Sequence, residues 1–199
     1  LSTAILLLAA GASRRLGHPK QLLTVAGQSL LRRAAEAALA TGAGPVVVVL
    51  GAHADQLQPE LAGLAVVQAP NPDWASGMAS SLRVGLAAAE LAQPGLAAAL
   101  VMLCDQPFVN SQVLGQLLEK SATDGSPIVA SRYANGVVGV PIVFAAMCFP
   151  ALRALTGDQG ARKLVAQWPT PVPTVDFPLG QYDVDTPEDW DTICALAGN

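Results

Sequence analysis

Residues 3–9 read T-A-I-L-L-L-A, and residues 45–50 read P-V-V-V-V-L. Neither run alternates apolar with polar residues, as a strand with one wet face would. Both are therefore expected to be buried on two faces, the habit of a parallel sheet covered by helices. Working outward, further strands are expected at 64–68, 97–103, 127–131, 138–144 and 172–176. Between them the apolar spacing turns helical. Helices are expected at 28–41, near 53–62, and at 78–92, 111–122, 147–154, 160–167 and 187–196. The first carries Leu30, Leu31, Ala34, Ala38 and Leu39 on one face. This alternation predicts an α/β fold, with helices on both faces of a mostly parallel sheet. No linker, repeat or low-complexity tract interrupts the 199 residues, so one domain over 1–199 is expected. Ligands of such sheets bind beyond the carboxyl ends of the strands. The loops after the strands at 3–9, 64–68 and 97–103 should carry the chemistry.

Composition excludes several classes. Hydrophobic residues make up 52% of the chain and charged residues 13%, and the mean hydropathy is +0.42. Yet the longest apolar stretches, 4–12 and 96–104, fall well short of the roughly 18 residues of a membrane span. The apolar content is assigned to a buried sheet, and no membrane role is expected. A net charge of -4 argues against a nucleic-acid partner. No positive region precedes the first strand in Leu1-Ser2-Thr3, so no signal peptide is expected. Cys104, Cys148 and Cys194 are odd in number, far apart and outside any C-x-x-C. They read as free thiols in a reducing cytoplasm. His18 and His53 are the only histidines and have no zinc or triad motif around them.

Charge is polarised along the chain. Arg14, Arg15, Lys20, Arg32 and Arg33 precede the first acid, Glu36, while Asp176, Asp183, Asp185, Glu188, Asp189 and Asp191 crowd the far end. Such a chain can hold a phosphate near one cluster and a cation near the other. Arg32, Arg33, Glu188 and Asp191 read as ordinary helix charge.

The loop L-A-A-G-A-S-R-R-L-G-H-P-K-Q-L-L, residues 8–23, is long, small-residued and basic. Small residues let amides approach a ligand, and Arg15 and Lys20 can neutralise phosphate oxygens. It is neither a P-loop nor a G-x-G-x-x-G dinucleotide turn. Residues 71–86, N-P-D-W-A-S-G-M-A-S-S-L-R-V-G-L, begin with a turn signal and run into a helix. Ser76 is a candidate cap, and Gly77, Ser80 and Ser81 would stand at a helix N-terminus suited to an anion or a base edge. Two carboxylates complete the set. Asp105 follows the apolar run in V-M-L-C-D-Q-P, residues 101–107, either at the sheet edge facing a metal or capping a turn at Pro107. Asp183 and Asp185 lie in Y-D-V-D-T-P-E-D. Asp185 is either a metal ligand or the N-cap of the last helix, with Pro187 in its first turn and Glu188 three residues on. Carboxylates from distant segments can share one Mg²⁺, which prefers oxygen ligands and substrate phosphates.

Taken together these strings resemble the MobA-like nucleotidyltransferases, most closely their molybdenum cofactor cytidylyltransferases. Gly11, Ser13, Arg15, Gly17 and Lys20 fit G-x-S-x-R-x-G-x-x-K in register. Residues 71–82 fit N-P-x-W-x-x-G-M-x-x-S-L, and D-x-P and D-x-D-T-P-x-D follow in order. G-V-P-I-V-F at 139–144 and G-D-Q-G-A-R at 157–162 also resemble this group, with Val140 where its members commonly carry His. The resemblance implies a three-layer, Rossmann-like fold of the nucleotide-diphospho-sugar transferase type. It implies a nucleotide site made by Leu8, Ala9, Ala10, Gly11, Ser13, Arg15, Lys20, Gly77, Met78, Ser80 and Ser81. Arg15 and Lys20 would be the catalytic pair, with Mg²⁺ on Asp105 and Asp185, Asp183 being a weaker match. Asp158 and Arg162 would lie near the acceptor. L-A-A-G at 8–11 points to CTP rather than GTP. The implied reaction moves CMP from CTP to the phosphate of a molybdenum-bound molybdopterin, releases pyrophosphate, and serves a molybdenum hydroxylase as client. Alternatives are a guanylyl-, adenylyl- or sugar-phosphate nucleotidyltransferase, or a non-catalytic carrier or chaperone for the molybdenum cofactor. A nicotinamide-dependent oxidoreductase would suit the fold class but not the loop.

Overall fold

The computed structural model describes residues 2–198. Leu1 and Asn199, the ends of the expected 1–199 domain, lie outside the described residues. The strands are β1 (Thr3–Ala9), β2 (Thr24–Val25), β3 (Gln28–Ser29), β4 (Val46–Leu50), β5 (Val67–Pro70), β6 (Ala98–Leu103), β7 (Ile128–Arg132), β8 (Val138–Ala145) and β9 (Thr174–Asp176). The helices are α1 (Leu30–Leu39), α2 (Ala54–Leu57), α3 (Met78–Ala92), α4 (Ser111–Asp124), α5 (Phe149–Arg153), α6 (Arg162–Gln167) and α7 (Pro187–Ala197). Seven strands form one sheet in the order β5-β4-β1-β6-β8-β7-β9. Only β8 runs against the rest, pairing antiparallel with β6 and β7. A few residues around Asn135-Gly136 join β7 to β8, too few for the crossover that a parallel pair requires.

The unbroken apolar runs are buried on two faces. Every residue of β1 and β4 is buried. Leu6, Leu8, Val47, Val49 and Val101 pack with Leu82 and Leu86 of α3. Ile5, Leu7, Val46, Val48 and Leu100 pack on the other face with Leu31 of α1 and Leu114 of α4. The fold is thus the three-layer α/β/α sandwich. Among the described residues, no helix is long and apolar enough to cross a membrane.

Two expectations are corrected in detail. The helix expected from residue 28 starts at Leu30, because Gln28 and Ser29 pair with Thr24 and Val25 and the Ser29 hydroxyl then caps the helix on the Arg32 amide. The strand expected at 64–68 lies at Val67–Pro70, where four residues pair with β4.

A third, smaller cluster positions the site. Leu16 from the first loop, Val25 and Leu30 meet Val184 and Ile193, with Tyr182 and Trp190 packed around them. This draws the chain's C-terminal part onto the N-terminal loop. The Val184 amide donates to the Asp105 carbonyl at 2.9 Å and ties the same segment to the end of β6. Just beyond, α7 begins with a reciprocal cap. The Thr186 hydroxyl accepts from the Asp189 amide at 3.2 Å, and the Asp189 carboxylate accepts from the Thr186 amide at 2.8 Å and the Asp185 amide at 3.1 Å. Desolvation opposes the Asp189 charge, but these hydrogen bonds together outweigh it and hold its pKa below the ordinary value.

Thr186→Ala should remove the cap and cost about 1 kcal/mol, read as a lower urea midpoint with an unchanged denaturant slope.

Candidate active site

The chain turns back at β1, with β4 and β5 on one side and β6 on the other. Ligands of open α/β sheets bind at such a switch point. There the structure opens a cleft of about 440 Å³, walled by Leu8, the loop from Ala10 to Arg15, Lys20, Trp74, Ala75, Gly77, Met78, Ser81, the end of β6, Asp158 and Asp185.

The first loop is held from behind. Gln21 is buried, and its Nε2 donates to the Ala9 and Gly11 carbonyls, both at 2.9 Å. The Ala10 carbonyl accepts from the Ala52 amide at 3.1 Å. The Ala12 carbonyl lies 3.2 Å from His53 Nε2, which donates in its Nε2–H form. In a trans peptide the N–H points opposite to the C=O. With the carbonyls of Ala10, Gly11 and Ala12 taken on one side, the next amides turn to the other. Among the described residues, no hydrogen bond is donated by the amides of residues 11–15. Ser13 closes the arc in the left-handed region, φ 51°. Its carbonyl accepts from the Leu16 and Gly17 amides, and its hydroxyl accepts from the Lys20 amide at 3.0 Å. An arc of unpaired amides beside Arg14 and Arg15 is an anion receptor.

Opposite it, the second wall is equally built. Asn71 is buried and its Nδ2 donates to the hydroxyls of Ser80 at 2.8 Å and Ser81 at 3.0 Å. Gly77, at φ 109°, lies so close to Gly157 that a Cβ there would collide with its carbonyl. This contact seats Met78 against the 157–160 turn, where the Ala79 amide donates to the Gly157 carbonyl at 3.1 Å.

The charged centre lies between. Lys20 Nζ donates to Asp105 Oδ2 at 2.6 Å, the Val184 carbonyl at 2.9 Å and Asp185 Oδ1 at 3.0 Å. Arg15 Nη2 reaches Asp185 Oδ2 at 2.6 Å. Burial opposes the Lys20 charge, but Asp105 and then Asp185 outweigh it and raise its pKa, so it is cationic at any working pH. Cys104 is buried beside Asp105, and both push its thiol up to about 12, against the opposing pull of Lys20. It is an inert wall, not a nucleophile. Asp105 Oδ1 is buried without a hydrogen-bond partner. A buried carboxylate oxygen with an open valence, beside a second carboxylate at the cleft, suits a divalent cation completed by water and phosphate oxygens. Among the described residues, no group of three or more His, Cys, Asp and Glu could hold a metal by itself.

A second cavity of about 300 Å³ adjoins the first, with Met78, Leu103 and Asp158 common to both. Its walls add Gln106, Tyr133, Val140, Arg162, Gly180 and Asp183. Gln106 Nε2 donates to Tyr133 Oη and the Gly180 carbonyl, both at 2.9 Å, and Tyr133 Oη donates to the Val140 carbonyl at 2.6 Å. Asp183 stands at this cavity, not between the other two aspartates. Partial burial, then the Asp105 and Asp185 charges, raise its pKa.

Residues 5–172 match the MobA-like NTP transferase domain family. The chain belongs to it. Among its relatives is the nicotine blue oxidoreductase of Paenarthrobacter nicotinovorans, 38% identical over 195 residues, which are 94% of this chain and 91% of that protein. The purine catabolism protein PucB of Bacillus subtilis is 30% identical over 201 residues, 94% of this chain and 93% of that protein. A probable molybdenum cofactor guanylyltransferase of Pelotomaculum thermopropionicum is 28% identical over 146 residues, 73% of this chain and 65% of that protein. Among solved structures, Rv0371c of Mycobacterium tuberculosis superposes with a TM-score of 0.81 at 32% identity, over 98% of this chain and 99% of that one. A manganese complex of Rv0371c superposes with a TM-score of 0.80 at 29% identity, over 97% and 98% of the two chains. The MobA-like transferase family thus matches the resemblance drawn from the sequence, and the fold is the one that it implied.

Of the residues expected to touch nucleotide, Leu8, Ala10, Gly11, Ser13, Arg15, Lys20, Gly77, Met78 and Ser81 line the cleft, as do Asp105 and Asp185. Ala9 and Ser80 do not. Strand alternation turns Ala9 into the opposite core layer. The Ser80 hydroxyl is spent on the Asp73 and Gly77 carbonyls and on Asn71. Ser76 caps no helix, since Gly77 is the N-cap of α3 and the Ser76 hydroxyl returns to the Asp73 carbonyl at 2.7 Å. Nor is Asp185 a cap. That position belongs to Thr186, one residue later, so the Asp185 carboxylate is free to meet Lys20 and Arg15. Sequence reading missed Gln21, His53 and Asn71 as supports and Trp74 as a wall. The polar Gln21 before an apolar pair was the signal for the first, and the N-P turn for Asn71.

Gln21→Leu keeps the volume but leaves the Ala9 and Gly11 carbonyls unpaired. It should cost about 1–3 kcal/mol, seen in denaturant unfolding. Asp183→Asn tests the raised acid. A raised native pKa gives stability that is present below the ordinary value of 3.8 and lost as pH rises through the native value. The variant should therefore be more stable than wild type at pH 7, and the difference in urea midpoints should close as pH falls toward that of an ordinary carboxylate.

Proposed function

We propose that the chain transfers CMP from CTP to the phosphate of a molybdopterin-type acceptor, with Mg²⁺ as its cation, and releases pyrophosphate. The observation that carries this reading is the joint geometry of the first loop. Unpaired amides, Arg14 and Arg15 border a cleft that holds two carboxylates beside them. That is a receptor for a polyphosphate and its cation together. The triphosphate lies along residues 11–15. The base rests toward Trp74, Gly77, Met78 and Ser81. The choice of CTP rests on the resemblance of L-A-A-G at 8–11 to the cytidylyl-transferring members of the family.

Asp105 and Asp185 would hold the cation, which supplies charge neutralisation to the phosphate oxygens. The manganese complex of Rv0371c supports a divalent ion for the family. The acceptor occupies the second cavity, with its phosphate toward Met78 and Asp158, where the two spaces meet. An acceptor phosphate oxygen attacks the α-phosphorus of CTP, a new P–O bond forms, and the bond to the β-phosphate bridging oxygen breaks. The phosphate is already ionised near neutral pH, so no general base is needed. Arg15 and Lys20 take up the negative charge that grows on the leaving pyrophosphate, and positioning and electrostatics supply the catalysis.

One finding favours a second reading. A relative at 38% identity is named an oxidoreductase, and an amide arc can also cradle the pyrophosphate of a nicotinamide dinucleotide. A substrate panel separates the readings.

With Mg²⁺ and molybdenum-loaded molybdopterin, pyrophosphate should be released from CTP well above GTP or ATP, and NADPH should not be consumed. Release from GTP alone would move the base assignment; no release from any nucleotide by folded protein, or NADPH oxidation, would overturn the reading. Asp105→Asn should cut turnover by about 100-fold or more while thermal unfolding shows an intact fold.

A further inference from the structure

Lys20 sits where a cation ligand set converges. Its ammonium is held by three oxygens, Asp105 Oδ2, Asp185 Oδ1 and the Val184 carbonyl. Two carboxylates and a backbone carbonyl are hard oxygen donors of the kind Mg²⁺ and Mn²⁺ take. An ammonium needs three acceptors and has them all here. Arg15 occupies the remaining oxygen of Asp185. The two negative charges are therefore matched by two positive ones, and both Lys20 and Asp105 have only 13% of their side chains exposed. A divalent ion entering this arrangement would meet a neutral site with an ammonium at its centre, where Asp105 Oδ1 is the one carboxylate oxygen without a partner. It would be repelled as much as attracted.

The same two basic side chains border the amide arc of residues 11–15. A triphosphate in that arc offers them more negative charge than the aspartates do. Lys20 has a flexible four-carbon stem and acts as a point charge, so it can turn from one anion to the other without moving the backbone.

We propose that Lys20 is a resident stand-in for the divalent cation: it keeps Asp105 and Asp185 neutralised in the free protein and yields them when polyphosphate draws it away. This rests on the nucleotide reading above for the polyphosphate, but not for the stand-in itself. Metal and nucleoside triphosphate then bind with positive coupling, and by linkage each tightens the other. The aspartates are spared mutual repulsion when the cleft is empty, and stray divalent ions are kept off until the nucleotide arrives. Lys20 thereby serves twice, first on the metal ligands and then on the phosphates.

The test reads metal binding, not activity. Mn²⁺ alone is titrated into folded protein, and free ion is followed by its electron paramagnetic resonance signal. Lys20→Met should bind Mn²⁺ more tightly than wild type, by about 10-fold or more, inside the roughly 5–150-fold range of typical couplings. Arg15→Gln, whose side chain is 68% exposed and so safe for folding, should tighten it in the same direction but less. Asp105→Asn is the control that loses the gain when combined with Lys20→Met. If Lys20→Met folds, as judged by circular dichroism, and binds Mn²⁺ no better than wild type, the stand-in role is overturned. If it does not fold, Lys20→Gln, which keeps a hydrogen-bond donor beside Asp105 but no charge, decides in its place, and unchanged Mn²⁺ affinity there is the overturning result. A second arm measures CTP and GTP affinity with and without Mn²⁺. Tightening by the metal in wild type supports the coupling, and its absence in a protein that binds nucleotide overturns it. Binding of neither nucleotide sinks the nucleotide reading, whatever the nucleotide-free arm gives.

Discussion

The pairing of Lys20 with Asp105 and Asp185 is the contact on which the site depends. A buried ammonium and a buried carboxylate are each costly alone, and removing either strands the other. Three distant parts of the chain must therefore meet, and the fold is arranged so that they do. The end of β6 supplies Asp105. The first loop supplies Lys20. The segment before α7 supplies Asp185, carried there by the Leu16–Val184–Ile193 cluster and by the backbone bond from Val184 to Asp105. Such an ion pair contributes little net stability, and that is consistent with a site whose charges are meant to change partners.

Rigidity around this centre comes from polar groups working behind the cleft. Gln21, Ala52 and His53 take the loop carbonyls on the packed side and leave the amides to the cleft side. Asn71 does the same for the opposite wall through Ser80 and Ser81. Gln106 and Tyr133 frame the second cavity. Gln21, Asn71, Gln106 and Tyr133 each make more than one hydrogen bond, so the walls hold their shape while the charged centre between them is free to exchange ions.

Much of this was legible in the sequence, for physical reasons. The unbroken apolar runs at 3–9 and 45–50 could be stable only with both faces covered, and that fixed the layers. Asp105 at the end of an apolar run had to lie at the sheet edge. The loop signature put Arg15 and Lys20 in one place. What the sequence could not give was pairing across distance. The cap of α7 had two local candidates one residue apart, and Thr186 takes it over Asp185 because Asp189, three residues on, closes the capping box with it. The pairing of Asp185 with Lys20 and Arg15 is the long-range part. Ser80 lies off the cleft with its hydroxyl on backbone carbonyls, because hydroxyls next to a helix start serve the backbone as readily as a ligand. Base preference, metal and acceptor depend on a few side chains around the cleft and not on the layers of the fold.

The most direct measurement is a crystal structure with a non-hydrolysable CTP analogue and Mn²⁺, the ion placed by its anomalous scattering. The account predicts the triphosphate along residues 11–15, Mn²⁺ on Asp105 and Asp185, and Lys20 moved from those carboxylates to a phosphate oxygen. A nucleotide bound away from that loop, or Mn²⁺ seated elsewhere while Lys20 keeps both aspartates, would contradict it.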